Sequence, residues 1–237
     1  MIVHRKNWKQ VGVEVTTQDV ENRIKDVLRD IDCRNLALSG GLDSSLLLYF
    51  MCQMYDPISV FTIGKTEYHP DVVFAKKVVE CYQERFNVRI KHYIYYPRNE
   101  EIEGHIERYD GDRVVKLFYQ FVSKHTSRII AGDGIDEFMC GYYAHMERPR
   151  EEIYYYFLRR LQDEQLIPLN ENSGEMRVCL PYIDRRIIIL LSQISLEDKV
   201  DGENRKKFMV KMAKGKIPKE VIERRKYGFC DVLVEEK

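Results

Sequence analysis

The stretch Ser39-Gly40-Gly41-Leu42-Asp43-Ser44-Ser45 constrains this chain more than any other, because an apolar strand precedes it and an apolar helix follows it. Asn35-Leu36-Ala37-Leu38 reads as a short buried strand, and Leu46-Leu47-Leu48-Tyr49-Phe50-Met51 continues as a helix directly after the serines. The first N–H groups of a helix lack intrahelical acceptors and carry the positive end of its dipole, so a glycine turn there makes a phosphate site. Gly40 and Gly41 remove the Cβ atoms that would block the approach, Ser39, Ser44 and Ser45 add hydroxyl donors, and Asp43 supplies a carboxylate able to hold magnesium. The loop lacks the Gly-Lys-Ser/Thr ending of a Walker A sequence, so simple transfer of a terminal phosphoryl group is not its obvious chemistry.

The flanking sequence repeats the strand–helix pattern. Val20, Ile24, Val27, Leu28 and Ile31 give Thr17 to Asp32 a helical spacing, with threonine available as a cap. Ile58 to Ile63 reads as a second strand after Pro57, Pro70 to Phe86 as a helix, Val88 to Ile94 as a third strand, and Val114 to Lys124 as a further helix. Arg128 to Ala131 is a fourth strand ending in Gly132-Asp133-Gly134. Strands alternating with helices at these lengths predict an α/β fold, a parallel twisted sheet with helices on both faces joined by right-handed crossovers. The Ser39 and Gly132 loops both follow strands, at the carboxyl edge where open α/β sheets bind ligands. From about residue 146 the pattern is mostly helical, with Glu151 to Gln165, Ile183 to Ile194 and Asn204 to Lys214 as candidates. No linker-like composition intervenes, which predicts one domain over 1–237, with a nucleotide-binding core at 1–145 and a helical substrate-side portion at 146–237.

Charge is balanced, with 38 basic and 38 acidic residues, so no global field draws the chain to nucleic acid or an anionic membrane. Cys33, Cys52, Cys81, Cys140, Cys179 and Cys230 show neither a Cys-x-x-Cys pair nor zinc spacing, which predicts free thiols in a reducing cytoplasm. No apolar run reaches membrane-spanning length and the N-terminus lacks the apolar core of a signal peptide. Composition leaves self-association into a homo-oligomer open.

Three separated segments together resemble the ATP-pyrophosphatase domain of the asparagine synthetase family, a group that includes β-lactam synthetases. Ser39 to Ser45 matches the family's Ser-Gly-Gly-x-Asp-Ser pyrophosphate loop, and Gly132-Asp133-Gly134-Ile135-Asp136-Glu137-Phe138-Met139-Cys140-Gly141-Tyr142 is similar to its Gly-x-Gly-x-Asp-Glu-x-x-Gly-Gly-Tyr segment. Leu180-Pro181-Tyr182-Ile183-Asp184, Lys207, Ile217-Pro218 and Arg224-Arg225-Lys226-Tyr227-Gly228-Phe229 look like its Pro-Phe-Leu-Asp and Arg-x-Lys-x-Gly-Phe elements; Asp71 and Ala75 also fit. The resemblance implies an adenine nucleotide alpha hydrolase-like (PP-loop) fold that uses ATP and Mg2+, with Asp43 and Asp136 on the metal. It further implies that Lys207 contacts the phosphates, that Lys226 stabilises the transition state of amide formation, and that the backbone of Ile63 and Gly132 reads adenine and ribose. Asp133, at the family's variable acidic position, is assigned to orienting the substrate or amine.

The chemistry so implied is amide synthesis. A carboxylate is a poor acyl donor; attack on the α-phosphorus of ATP gives an acyl-adenylate and pyrophosphate, and ammonia or an amine then displaces AMP. Residues 199–226 hold eleven Lys/Arg against four Asp/Glu, a local excess suited to clamping pyrophosphate. Full asparagine synthetases begin, after Met, with the nucleophilic cysteine of a glutaminase domain; position 2 here is isoleucine and about thirty residues precede the first strand. The expectation is therefore nitrogen from solution, from a separate glutaminase subunit, or from an amine. Two other readings stay open at this point: a PP-loop enzyme modifying tRNA or other nucleic acid, against which the neutral charge stands, and a nucleotide-binding partner subunit of a glutaminase. Cys140, where the family has the first glycine of Gly-Gly, reads as a small packing residue.

Overall fold

The structure is a computed structural model that describes residues 14–102 and 111–225. Its helices, in chain order, are α1 (Thr17–Ile31), α2 (Leu42–Cys52), α3 (Pro70–Phe86), α4 (Asn99–Ile102), α5 (Asp112–Ser123), α6 (Ile135–Met139), α7 (Tyr143–Glu147), α8 (Glu151–Leu161), α9 (Ile167–Asn172), α10 (Arg185–Leu191), α11 (Leu196–Lys199), α12 (Lys207–Ala213) and α13 (Lys219–Glu223). The strands are β1 (Asn35–Ala37), β2 (Ile58–Ile63), β3 (Ile90–Tyr95), β4 (Arg128–Ile130) and β5 (Arg177–Cys179).

The five strands form one parallel sheet in the order β3-β2-β1-β4-β5. This is the predicted α/β architecture, with β5 added from the part read as helical. Successive strands run outward from β1 to β3 on one side, and the chain then returns to place β4 on the other side of β1. The order therefore reverses between β1 and β4, the topological switch point at which open parallel sheets leave a crevice beyond their carboxyl ends.

The chain divides into two compact units, each drawing on separated segments. One comprises Asp32–Ala131, Pro168–Cys179 and the residues from Gly215 on; the other comprises the residues up to Ile31, Gly132–Ile167 and Leu180–Lys214.

The first unit holds the whole sheet. In β2, Val60, Phe61, Thr62 and Ile63 are all buried, the continuous pattern of a strand covered on both faces rather than the alternation of a half-exposed one. A core cluster joins Phe61 and Ile63 of β2 and Ile129 of β4 to Val114, Phe118 and Val122 of α5, which recur at helical spacing. Each such fully buried aromatic or aliphatic side chain stabilises by about 1.5–3 kcal/mol relative to its exposed state. Leu46, Leu47, Leu48, Phe50 and Met51 bury α2 all round, and α3 begins with Pro70 at its first position, where the missing N–H costs no hydrogen bond.

The second unit is helical. In α1, Val20, Ile24, Val27 and Leu28 form one buried stripe, and the helix starts with a reciprocal cap: Asp19 N donates to Thr16 Oγ1 at 3.2 Å and Thr16 N to Asp19 Oδ2 at 2.9 Å. The predicted single helix from Glu151 to Gln165 is instead α8, ending at Leu161, followed by a π turn over Gln162–Leu166. Among the described residues no helix is long and apolar enough to cross a membrane.

Candidate functional site

In the sheet unit, the Ser39–Ser45 loop leaves the carboxyl end of β1, at the switch point. Gly41 occupies the N-cap of α2 without any side-chain cap hydrogen bond, so the positive end of an eleven-residue helix is not covered by a capping side chain and suits an anion. Ser39 and Ser44 brace the loop from within: their hydroxyls lie 3.2 Å apart, Ser39 N donates to Ser44 Oγ at 3.3 Å, and Gly41 N donates to Ser39 Oγ at 3.3 Å. Ser45 Oγ is fully buried and finds no hydrogen-bond partner among the described residues. Buried hydroxyls are rarely left so, and a phosphate oxygen at the helix start is an acceptor that would suit it.

Gly40 is required for a reason the sequence did not show. Its φ is +65°, and a Cβ there would stand 2.3 Å from Ala75 N and 2.5 Å from Phe74 C. The loop rests directly on the backbone of α3, so glycine here serves the loop's seat rather than the ligand's approach. Asp71 and Ala75, matched to the family pattern, thus lie beside the loop. Asp71 is ion-paired with Arg224, whose guanidinium also donates to Ser39 O at 3.2 Å. Asp43 sits in the first turn of α2, half-buried.

The exit of β1 is pinned from its neighbours. Thr62 Oγ1 donates to Leu38 O at 2.6 Å and lies 2.8 Å from His92 Nε2, while burial lowers the His92 pKa to about 4 and keeps the ring neutral. Ile63, assigned to adenine and ribose, is the last residue of β2, buried and paired with Tyr95.

In the helical unit, the Gly132–Tyr142 segment makes two tight contacts. A Cβ on Gly134, whose φ is +88°, would meet Ile183 Cγ2 at 2.3 Å, so this segment packs against Leu180–Asp184. Asp184 proves to be a structural residue as well: it caps α10, accepting from Arg186 N at 2.9 Å, and its hydrogen bond from the Arg186 side chain holds its carboxyl below the usual range. At Gly141 a Cβ would lie 1.7 Å from Asp136 Oδ1 and 2.5 Å from Lys206 Cε. Lys206 Nζ reaches Asp136 Oδ1 at 2.6 Å with only 8% of its side chain exposed. Arg205 donates to Gly141 O at 2.6 Å and stacks 3.8 Å over the Tyr143 ring, closing the same corner.

Lys207, the lysine assigned to the phosphates, is held by neighbours within its own unit. Its Nζ pairs with Asp201 Oδ2 at 2.9 Å and donates to Glu197 O at 2.8 Å, and it is the first cause that holds the Asp201 carboxyl well below its ordinary range. The structure thus places Lys206, which sequence reasoning passed over, beside the motif carboxylate. The only signal for it was its adjacency to Lys207 in the basic stretch.

Glu137 and Tyr142 buttress the segment, the phenol donating to Glu137 Oε1 at 2.6 Å and its ring stacking on Phe157 at 4.6 Å. Cys140 ends α6 in the left-handed conformation at φ +57°, which explains why glycine suits this position. Burial pushes its thiol up to about 12, so it packs rather than reacts. Asp133 and Gly132 open the segment, both half-buried. Lys226, Tyr227, Gly228 and Phe229 lie outside the described residues.

The donor set fits a phosphate-bearing ligand at α2. For magnesium, no cluster of three or more His, Cys, Asp or Glu gathers among the described residues. The ion is commonly held by one or two carboxylates together with substrate phosphates, and Asp43, in the first turn of α2, is a carboxylate at the loop that suits phosphate.

A phosphate-type loop at the switch point of a parallel sheet, followed in sequence by the Asp136-Glu137 motif, defines the class. The chain belongs to the asparagine synthase family, whose profile matches residues 35–170 and 149–236. It is also similar to a Methanocaldococcus jannaschii protein that carries the provisional name glutamine-hydrolyzing asparagine synthetase 2, at 28% identity over 136 residues. That match covers 52% of this chain and 24% of the relative, so the chain spans about a quarter of the relative's length.

Proposed function

We propose that this chain is an ATP-dependent, AMP-forming amide synthetase that activates a substrate carboxylate as an acyl-adenylate, releases pyrophosphate, and transfers the acyl group to ammonia or an amine. The observation that carries the reading is the Ser39–Ser45 loop: an uncapped helix start, a buried Ser45 hydroxyl and a glycine seated on α3 suit a polyphosphate. Family membership selects amide formation from the reactions such a loop can serve.

Attack of the substrate carboxylate on the α-phosphorus forms the acyl–phosphate bond and breaks the α–β bridge, whose electrons leave with pyrophosphate. The amides of α2 and the serine hydroxyls would receive that charge. Asp43 and Asp136 are each assigned to magnesium, whose charge would help to neutralise it. Lys207 is assigned to the phosphates, its neighbour Lys206 pairs with the Asp136 carboxylate, and Lys226 is assigned to the acyl-transfer step. Ile63 and Gly132 are assigned to the nucleoside, Asp133 to the incoming amine. The relative's name mentions glutamine hydrolysis; a separate glutaminase supplying ammonia is the corresponding partner for this chain. The five free cysteines among the described residues suit a reducing, cytoplasmic setting.

The test is pyrophosphate release from ATP and magnesium across a panel of carboxylates, with and without ammonium, glutamine or bulk tRNA. Carboxylate-dependent AMP and pyrophosphate in a one-to-one ratio is expected. Release that requires tRNA, or ADP as the product, would overturn the reading.

A further inference from the structure

We infer that Arg224 is a positioning residue that presets the phosphate loop, with Asp71 as the counter-charge that allows an arginine to sit there. The inference deepens the reading above and rests on it for the identity of the ligand.

Arg224 is one of the least exposed charged side chains in the sheet unit, at 5%, against 10% for Asp71. Its guanidinium is ion-paired with the Asp71 carboxylate, donates to Ser39 O at 3.2 Å and to Pro70 O at 3.5 Å, and lies 5.0 Å over the Phe74 ring. One planar fork therefore ties three things: the first residue of the loop, the residue that opens α3, and the carboxylate in the first turn of that helix. Lysine has no such fork.

The position is electrostatically awkward without Asp71. The start of a seventeen-residue helix carries partial positive charge and would repel a guanidinium. Asp71 in the first turn reverses that sign, while His69 Nδ1 caps the helix by accepting from Asp71 N at 3.3 Å.

The consequence for the loop follows from peptide planarity. A trans peptide points its C=O and the next N–H in opposite directions, so a Ser39 carbonyl held by Arg224 turns the Gly40 N–H away from the arginine. Gly40 is at the same time seated on the Phe74–Ala75 backbone. Held at its carbonyl on one side and by α3 on the other, the Ser39–Gly40 link has its orientation fixed before any ligand arrives. A phosphate then binds without having to order the loop, which is where affinity is gained. Because its donors already serve Asp71, Ser39 and Pro70, Arg224 acts through the loop. It is also two residues before Lys226 in the chain, so the residue that seats the loop and the residue assigned to acyl transfer belong to one sequence element.

The test compares wild type with Arg224→Ala, Arg224→Lys and Asp71→Asn in two measurements. Amide hydrogen exchange on the ligand-free protein is expected to accelerate about tenfold or more over Ser39–Ser45 in Arg224→Ala, with β2 and α5 unchanged. Calorimetric binding of inorganic pyrophosphate is expected to weaken by about tenfold to a hundredfold, and millimolar guanidinium to restore part of the loss in Arg224→Ala but none in Asp71→Asn. Arg224→Lys, the variant safest for folding, should raise KM for ATP with little change in kcat. Unchanged loop exchange, or acceleration spread evenly over the sheet, would overturn the inference. Wild type that binds pyrophosphate with Arg224→Ala binding it equally well would overturn this inference alone; wild type that fails to bind pyrophosphate or ATP would overturn the synthetase reading and the affinity half with it.

Discussion

Lys199 offers a measurement whose size can be worked from the structure. It is fully buried at the end of α11, with Nζ 3.2 Å from the Tyr154 hydroxyl, 4.7 Å from the centre of that ring, and Cys140 nearby. Burial lowers its pKa from 10.5 to about 7, because an ammonium loses most of its hydration there. In the unfolded chain the amine keeps its proton up to the ordinary value, so from about pH 7 to about pH 10 the unfolded state binds more protons. Stability must then rise with pH across that window, and the full penalty is present below it. At about 1.4 kcal/mol per pH unit, the gain between about pH 6.5 and about pH 8.5 is on the order of 2 kcal/mol. Lys199→Met keeps an unbranched side chain without a titrating group, so its stability curve lacks that rise. Urea titrations of both proteins, followed by far-UV circular dichroism at several pH values, give the difference, in which the other titrating groups cancel. The window stays below about pH 9, because the buried Cys140 thiol, held up to about 12 in the fold, contributes with the opposite sign above its ordinary value. Parallel curves for wild type and Lys199→Met across the window would refute the reasoning.

Three further outcomes bear on the site. Gly40→Ala should destabilise the chain by about 2 kcal/mol or more and abolish pyrophosphate binding, because both the +65° φ and the α3 backbone forbid a Cβ; thermal unfolding with calorimetry checks it, and a stable, binding variant would contradict the seat described for the loop. Lys206→Ala should destabilise the chain more than Lys207→Ala, because the Lys206–Asp136 pair is largely buried whereas the Lys207–Asp201 pair is more than a third exposed; thermal unfolding of the two variants checks it, and equal losses would contradict the burial argument. Asp43→Ala should abolish adenylation, whereas Lys226→Ala should slow overall amide formation more than it weakens nucleotide binding; normal turnover of Lys226→Ala at saturating ATP would remove its assignment.

The fold was legible where one period dominated. The stripe Val20, Ile24, Val27 and Leu28 announced α1, and Pro70 announced the start of α3, which the structure ends at Asn87 in the left-handed conformation, φ +52°. β5 was not legible, because three residues, Arg177-Val178-Cys179, carry no period; only their pairing with Arg128, Ile129 and Ile130 makes them a strand. The helix expected over Glu151 to Gln165 failed at its end for a similar reason: a π turn changes hydrogen-bond partners without changing the apolar spacing that a sequence displays.

At the site, sequence separates residue types well and neighbours poorly. The Ser39 loop was readable because a strand, two glycines and a helix must stand in that order to present amides to a phosphate. Lys206 and Lys207 are chemically identical and adjacent, and no spacing rule divides them. The backbone does: Lys206 takes the left-handed conformation, with φ at +51°, at the N-cap of α12, while Lys207 opens the helix proper. That single conformational step sends one ammonium inward to Asp136 and leaves the other on Asp201, more than a third exposed. A residue other than glycine in that conformation carries a strain on the order of 1 kcal/mol, and burying a lysine head adds a desolvation penalty that the Asp136 carboxylate offsets. What the pair holds is the turn at Gly141, whose missing Cβ leaves room for Asp136 Oδ1 and Lys206 Cε together, so substitution of Lys206, rather than of its neighbour, is the sharper probe of that packed corner.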